Sequence, residues 1–255
     1  LFNIRLGWWL GNPGRAGADT YRKASPNVSV GPLLSEAFGL TDSCHPYVYL
    51  SDGGHFENLG LYEMVLRRCH CILVVDAGCD PQLNFEDLGN AIRKIRIDLG
   101  IDIELNLEQI KRAADAKTSD RHHAIGMIRY DKVDANATAG TLIYLKPSLT
   151  GNEPSDVQDY TARHPSFPHE PTSDQFFDEA QFESYRRLGE HIAQQVLRPA
   201  IQRSEQDFSS LCHALRSYWL TTPPGMRESF LGEPADLKDL DRLLRDEPDL
   251  LRYDP

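Results

Sequence analysis

Asp52 is the residue whose setting most suggests chemistry. It follows the apolar run Tyr47-Val-Tyr-Leu50 and Ser51, and it precedes Gly53, Gly54 and His55. A serine nucleophile at neutral pH needs a base within hydrogen-bond reach to take its proton. A carboxylate that is desolvated and correctly placed can do this directly, without the imidazole of a triad. The competing reading of Asp52 is an aspartate that only caps its turn through backbone N–H groups. His55 would tune or pack that turn rather than carry the proton. Glu57 and Asn58 read as caps of the helix that follows. Asp76, in Val74-Val-Asp-Ala-Gly78, is first a turn cap and second a group that shapes the same crevice. Cys69-His70-Cys71 has no second ligand pair downstream, so its thiols read as ordinary buried ones. His164 and His169 flank Pro165-Ser-Phe-Pro168, which is weak grounds for a metal. No metal and no cofactor is expected.

The elements that must hold these residues follow from periodicity. Residues 47 to 50 suit a strand covered on both faces. Gly53 and Gly54 open backbone angles closed to other residues. Leu61, Met64 and Val65 then recur at helical spacing, with Asn58 as the cap ahead of them. A strand at 71–75, a helix at about 85–98 and a strand at 101–105 complete an alternation that implies βαβ units and parallel pairing. Ligand sites in such sheets lie beyond the carboxyl ends of the strands. Asp52 and Asp76 should therefore share one edge of a parallel sheet, on adjacent or nearly adjacent strands. Residues 33–40 suggest a short helix. Strands at 123–130 and 141–145 suit a hairpin at the sheet edge, and residues 146–171 a long Pro-rich loop that helps cover the site. Thr172 to Gln175 fits a capping box, launching a helix that runs to Pro199. A second helix covers about 204–220, and the acidic residues 226–255 form a tail.

Composition narrows the function further. The chain has 255 residues, 40% of them hydrophobic, enough for a sizeable core. A formal net charge of −11 argues against nucleic acid as a partner and against electrostatic docking on anionic lipid. No apolar run approaches the roughly 18 residues of a membrane helix. The segment 1–10 with Trp8-Trp9 reads as an edge strand rather than an interfacial anchor. Any membrane association would come through segments outside these residues. Five cysteines without framework spacing point to a reducing, cytoplasmic setting.

The segment Ser51-Asp-Gly-Gly-His-Phe-Glu-Asn-Leu-Gly-Leu-Tyr-Glu63 resembles the catalytic-aspartate segment of patatin-like phospholipases and their cytosolic phospholipase relatives. The resemblance, to the large bacterial patatin-like proteins in particular, continues through residues 71–78, 85–98, 143–148 and 167–185. It implies a three-layer α/β/α fold with a mainly parallel sheet, an antiparallel edge pair and C-terminal helices. Residues 1–200 would be the C-terminal part of the hydrolase domain, and residues 201–255 a helical, acidic extension. In that family an aspartate in such a turn partners a serine on a Gly-x-Ser-x-Gly elbow. The resemblance therefore implies hydrolysis of a phospholipid or lysophospholipid acyl ester, with Asp52 as base.

No Gly-x-Ser-x-Gly and no glycine-rich oxyanion loop occurs in the chain, and it opens at Leu1 rather than Met. The expectation is that nucleophile and oxyanion donors lie in an upstream part of the same protein, and that these residues alone are inactive. Two rivals remain: a metal-dependent hydrolase assembled from Asp52, His55 and Asp76, and a non-catalytic scaffold or partner domain.

Overall fold

A computed structural model describes residues 7–28, 30–42, 44–112, 117–201 and 208–221. The chain divides into two compact units, Leu1–Asn58 and Leu59–Pro255. The α/β class expected from the sequence is the one the chain adopts. The acidic segment 226–255 lies outside the described residues.

In the first unit β1 (Gly7–Gly11) and β2 (Tyr47–Ser51) form a two-stranded antiparallel ribbon. Trp9 stands directly opposite Tyr49 in the ladder, with ring centroids 5.1 Å apart. That cross-strand aromatic pair is what the apolar run at 47–50 packs against. The strand reading of Trp8-Trp9 holds, but burial of β2 on both faces does not: its residues are half-buried or exposed. The βαβ reading fails here too, because β2 and the strand at 71–75 belong to different sheets. A short apolar run is equally compatible with a ribbon and with a buried parallel strand. The unit also holds α1 (Val30–Ala37), close to the short helix expected at 33–40.

The second unit is built on a four-stranded sheet. After α2 (Leu61–Leu66) come β3 (Cys71–Val75), α3 (Glu86–Leu99), β4 (Ile103–Glu104), β5 (His123–Ile128) and β6 (Gly140–Leu145). The strand order is β3-β6-β5-β4. β3 pairs parallel with β6, while β5 pairs antiparallel with β6 and β4 antiparallel with β5. β3 and β4 thus run the same way, as a βαβ unit requires, but α3 carries the chain across two intervening strands. The hairpin of β5 and β6 is present, at the centre of the sheet rather than its edge. Its burial explains why: all six residues of β6 are buried, as a strand covered on both faces must be.

α3 matches its sequence pattern closely. Leu88, Ala91 and Ile95 face the core, Glu86 and Asp87 sit favourably at the positive helix start, and Gly100 ends the helix at φ 69°. With Leu61 and Val65 of α2 they pack on Ile72, Val74, Leu142 and Tyr144 of the sheet. The opposite face, with Ile143 and Leu145, is covered by α4 (Ser155–Arg163), α5 (Glu179–Ile201) and α6 (Phe208–Thr221). Alternation along β6 therefore serves two helical layers.

Several expectations for this second layer are corrected. Residues 146–171 are not all loop, since α4 lies within them. α5 begins at Glu179 rather than after Thr172, because Asp178 supplies the cap: its carboxylate accepts the Gln181 N–H at 2.7 Å. Pro199 lies inside α5 and does not end it. Val196, Leu197 and Ala200 are buried in the core shared with α6, and Trp219 Nε1 donates to Val196 O at 3.1 Å. Cys71 and Cys212 form a disulfide spanning 141 residues, so these two are not unpaired thiols. The docking of α6 onto the sheet brings them together, and sequence spacing does not reveal it. Among the described residues no helix is long and apolar enough to cross a membrane.

Candidate functional site

Asp52 sits immediately beyond the carboxyl end of β2 and is exposed. Its Oδ1 accepts the Gly54 N–H at 3.0 Å, and its backbone carbonyl accepts the His55 N–H at 3.1 Å. Oδ2 has no hydrogen-bond partner among the described residues. The turn cap weighed for this residue is therefore real, and it uses one oxygen while leaving the other to solvent.

The glycines do their work differently from expected. Residues 53–55 form a single 3-10 turn, and neither Gly53 nor Gly54 has a positive φ. What Gly54 supplies is space. A Cβ there would lie 2.4 Å from Asn58 Oδ1, whereas one at Gly53 would meet nothing within 4 Å. Asn58 Oδ1 accordingly lies over the turn, and the N-cap position of α2 is Gly60. His55 is exposed, and its Nδ1 is 2.6 Å from Ser51 Oγ. That contact was not foreseen, although Ser51 and His55 lie on the motif itself.

Asp76, beyond the carboxyl end of β3, is a different kind of carboxylate. It belongs to the second unit and is 2% exposed. Its Oδ1 accepts from Gly78 N at 3.1 Å and from Lys146 Nζ at 2.8 Å, while Oδ2 accepts the Tyr144 hydroxyl at 2.5 Å. Lys146 Nζ also donates to Gly78 O at 3.0 Å. Burial, reinforced by the neighbouring Asp76 charge, drives the Tyr144 phenol far above its usual range. The expected turn cap is present, but the acceptors of Asp76 are taken up by an internal network. The expectation that Asp52 and Asp76 flank one sheet edge on neighbouring strands is not met, since their strands lie in separate sheets. Lys146 and Tyr144 were missed. Their spacing of two puts them on one strand face, but only the parallel register places that face opposite Asp76.

The two loop histidines separate. His164 stacks on Tyr160, ring centroids 3.9 Å apart. His169 is buried, its Nδ1 accepting from Asp80 N at 3.3 Å. Nε2 is then its N–H, and it has no partner among the described residues. Burial pushes its pKa down to about 4, with the Lys146 and Arg112 charges adding to the effect. His169 helps line a cavity of about 710 Å³ with Arg112, Lys117, Glu153 and Ser166.

No protein-family model matches the chain, and comparison with curated proteins and with solved structures finds no match either. The functional reading therefore rests on the residues and their geometry.

Three outcomes follow from these sites. Gly53→Ala should change thermal stability by less than about 0.5 kcal/mol, whereas Gly54→Ala should cost about 1 kcal/mol or more, with Asn58→Ala relieving it. Lys146→Met strands a buried carboxylate and should destabilise by about 3–5 kcal/mol in chemical denaturation. Adding Asp76→Asn should recover part of that loss.

The third concerns pH. His169 titrates at about 4 in the fold against 6.5 when unperturbed, so unfolded protein takes up the proton first as pH falls. The contribution is whole above about pH 6.5 and is lost between there and about pH 4; at pH 5 the loss is about 2 kcal/mol. His169→Asn, which can still accept from Asp80 N, should show a correspondingly shallower acid loss in unfolding titrations.

Proposed function

We propose that the chain is the aspartate-bearing part of a lipid acyl-ester hydrolase of phospholipase or lysophospholipase type. Asp52 is the general base of a Ser-Asp dyad, and the nucleophilic serine lies in an upstream part of the same protein. The observation that carries this reading is the Asp52 carboxylate. One oxygen is fixed by the Gly54 N–H and the other has no partner among the described residues, at the end of a strand on an exposed turn. A base in a dyad needs this division: one oxygen to set orientation and one to receive the proton.

In the proposed cycle the upstream serine hydroxyl gives its proton to Asp52 Oδ2 as Oγ attacks the acyl carbonyl. The upstream glycine loop holds the oxyanion. The alcohol or lysolipid leaves with the proton from Asp52. Water, activated by the same carboxylate, then releases the fatty acid and regenerates the serine. Neither metal nor organic cofactor enters these steps. Exposed apolar residues in the same unit, among them Leu33, Leu34, Phe38 and Leu40, support its being covered by further protein or by substrate.

One contact favours a second reading. Ser51 Oγ lies 2.6 Å from His55 Nδ1, the arrangement of a serine with its own base. The two readings separate experimentally. In the protein with its upstream part restored, Asp52→Asn should lower ester hydrolysis by about a thousandfold or more, with folding nearly unchanged. His55→Ala should lower it by about tenfold. The 255-residue chain alone should hydrolyse p-nitrophenyl esters no faster than buffer and should resist fluorophosphonate labelling. Labelling of Ser51 in that chain, abolished by His55→Ala, would transfer the nucleophile to Ser51 and defeat the dyad.

A further inference from the structure

A second cluster of chemistry-bearing side chains lies in the larger unit, and no spacing rule joins its members in sequence. His122 immediately precedes β5, Glu153 closes the loop before α4, and His191 lies on α5. One ligand atom from each comes together, all within 4.8 Å of one another. His122 and Glu153 are buried, at 1% and 6% exposure, and His191 is half-buried.

Hydrogen bonds fix the three side chains in place. Ser148 Oγ donates to Arg121 O at 3.3 Å, so its lone pair is left to accept from His122 Nδ1, 3.1 Å away. The proton of a neutral His122 ring is thereby placed on Nδ1, and Nε2 faces Thr150 Oγ1 at 3.1 Å, the contact that a cation would displace. A second partner that fixes the tautomer and aims the ligating nitrogen is the usual companion of a metal-bound histidine. Glu153 Oε1 accepts from the Thr150 N–H and hydroxyl, and Oε2 accepts from Gly151 N at 3.0 Å. Those three bonds hold the carboxylate rigid, and of its roughly four acceptor sites they leave one. His191 Nε2 lies 3.0 Å from Asn152 Oδ1, which accepts when Nε2 carries the proton, and 3.0 Å from Gln195 Nε2, which donates when it does not; a cation at this nitrogen would replace either bond.

We propose that His122, Glu153 and His191 bind one divalent first-row transition metal ion, with zinc as the best-matched metal. Two imidazoles and one carboxylate form a borderline nitrogen–oxygen set, which disfavours magnesium and calcium with their all-oxygen shells. Ligands about 2.1 Å from a tetrahedral ion stand roughly 3.4 Å apart, so closing the set takes side-chain movements of about an ångström. Glu153 also lines the cavity of about 710 Å³, which gives the ion a path from solvent. Once bound, the ion ties the start of β5, the loop before α4 and the middle of α5 together. It is separate from the ester chemistry proposed for Asp52, and its test does not use that activity.

The test is metal binding to the chelator-stripped 255-residue chain. Calorimetry with Zn²⁺ should give one ion per chain and a raised melting temperature. Co²⁺ should give visible d–d absorption of a four-coordinate site without thiolate charge-transfer bands. Glu153→Gln keeps the side-chain shape and His191→Ala alters only a half-buried position, so both should fold. Each should weaken Zn²⁺ binding by about 100-fold or more and abolish the thermal shift. The proposal is overturned by an absence of binding at about 100 µM Zn²⁺, or by binding that both variants leave intact. It is equally overturned by thiolate bands, which would assign the ion to the free cysteines Cys44, Cys69 or Cys79.

Discussion

The parallel pairing of β3 with β6 is the constraint on which the larger unit depends, and a buried charge pair fixes its register. Val75 stands opposite Leu145 in the ladder, and Asp76 and Lys146 follow at the same level, just past the ladder's end. A slip of one residue would turn Lys146 toward the layer of Ile143 and Leu145, where the core is apolar. Asp76 would be left without its cation. Such a pair adds little net stability over an apolar replacement, because desolvation offsets most of the attraction. Its value lies in the arrangements it forbids. Tyr144 and Gly78 complete the satisfaction of Asp76, and this permits a carboxylate to stand where almost no water reaches it.

Asp52 and Asp76 look alike in sequence: each ends an apolar run and precedes a small residue and a glycine. Their environments give them opposite roles. Asp76 spends every oxygen on internal partners and is the better structural group for it. Asp52 is exposed and holds an oxygen in reserve. A proton acceptor must exchange its proton with substrate, which a carboxylate closed inside a network of lysine and tyrosine cannot readily do. Exposure separates the two: Asp76 is a structural anion, whereas Asp52 is open to solvent and would meet the desolvation a direct base requires only when the turn is covered.

What the sequence made legible were features whose cause is local. The stripe of Leu88, Ala91 and Ile95, with Gly100 behind it, needs only the helical period and a left-handed stop, and α3 runs where that pattern places it. The hairpin strands β5 and β6 were legible for the same reason, as apolar runs with a turn between them. Features decided by distant partners were hidden. Whether Tyr47 to Leu50 joins a ribbon or a parallel sheet depends on Trp9, some forty positions earlier, and not on the run itself. Pro199 is a helix breaker by its own chemistry, yet α5 continues past it because α6 buries that end. The start of α5 is read from the Thr172 capping box in sequence, whereas Asp178, six residues on, supplies the cap. Cys71 and Cys212 could be paired only once α6 was seen against the sheet.

The same distinction explains why the aspartate turn was readable and the His122 cluster was not. Asp52, Gly54, His55 and Asn58 lie within seven consecutive residues, so a local chain reversal is enough to assemble them. Even there one inference failed: the glycine pair was read for its backbone freedom, when Gly54 is needed because Asn58 folds over it. His122, Glu153 and His191 are brought together by three separate events, the entry into β5, the turn before α4 and the packing of α5 on the second face of the sheet. Each is a consequence of core burial, and none is encoded near the histidines. A site of that kind is only as well placed as the layer that carries it. The apolar contacts of Leu188 and Ile192, which flank His191 on α5 and are buried in the core beneath it, are therefore part of what positions its ring.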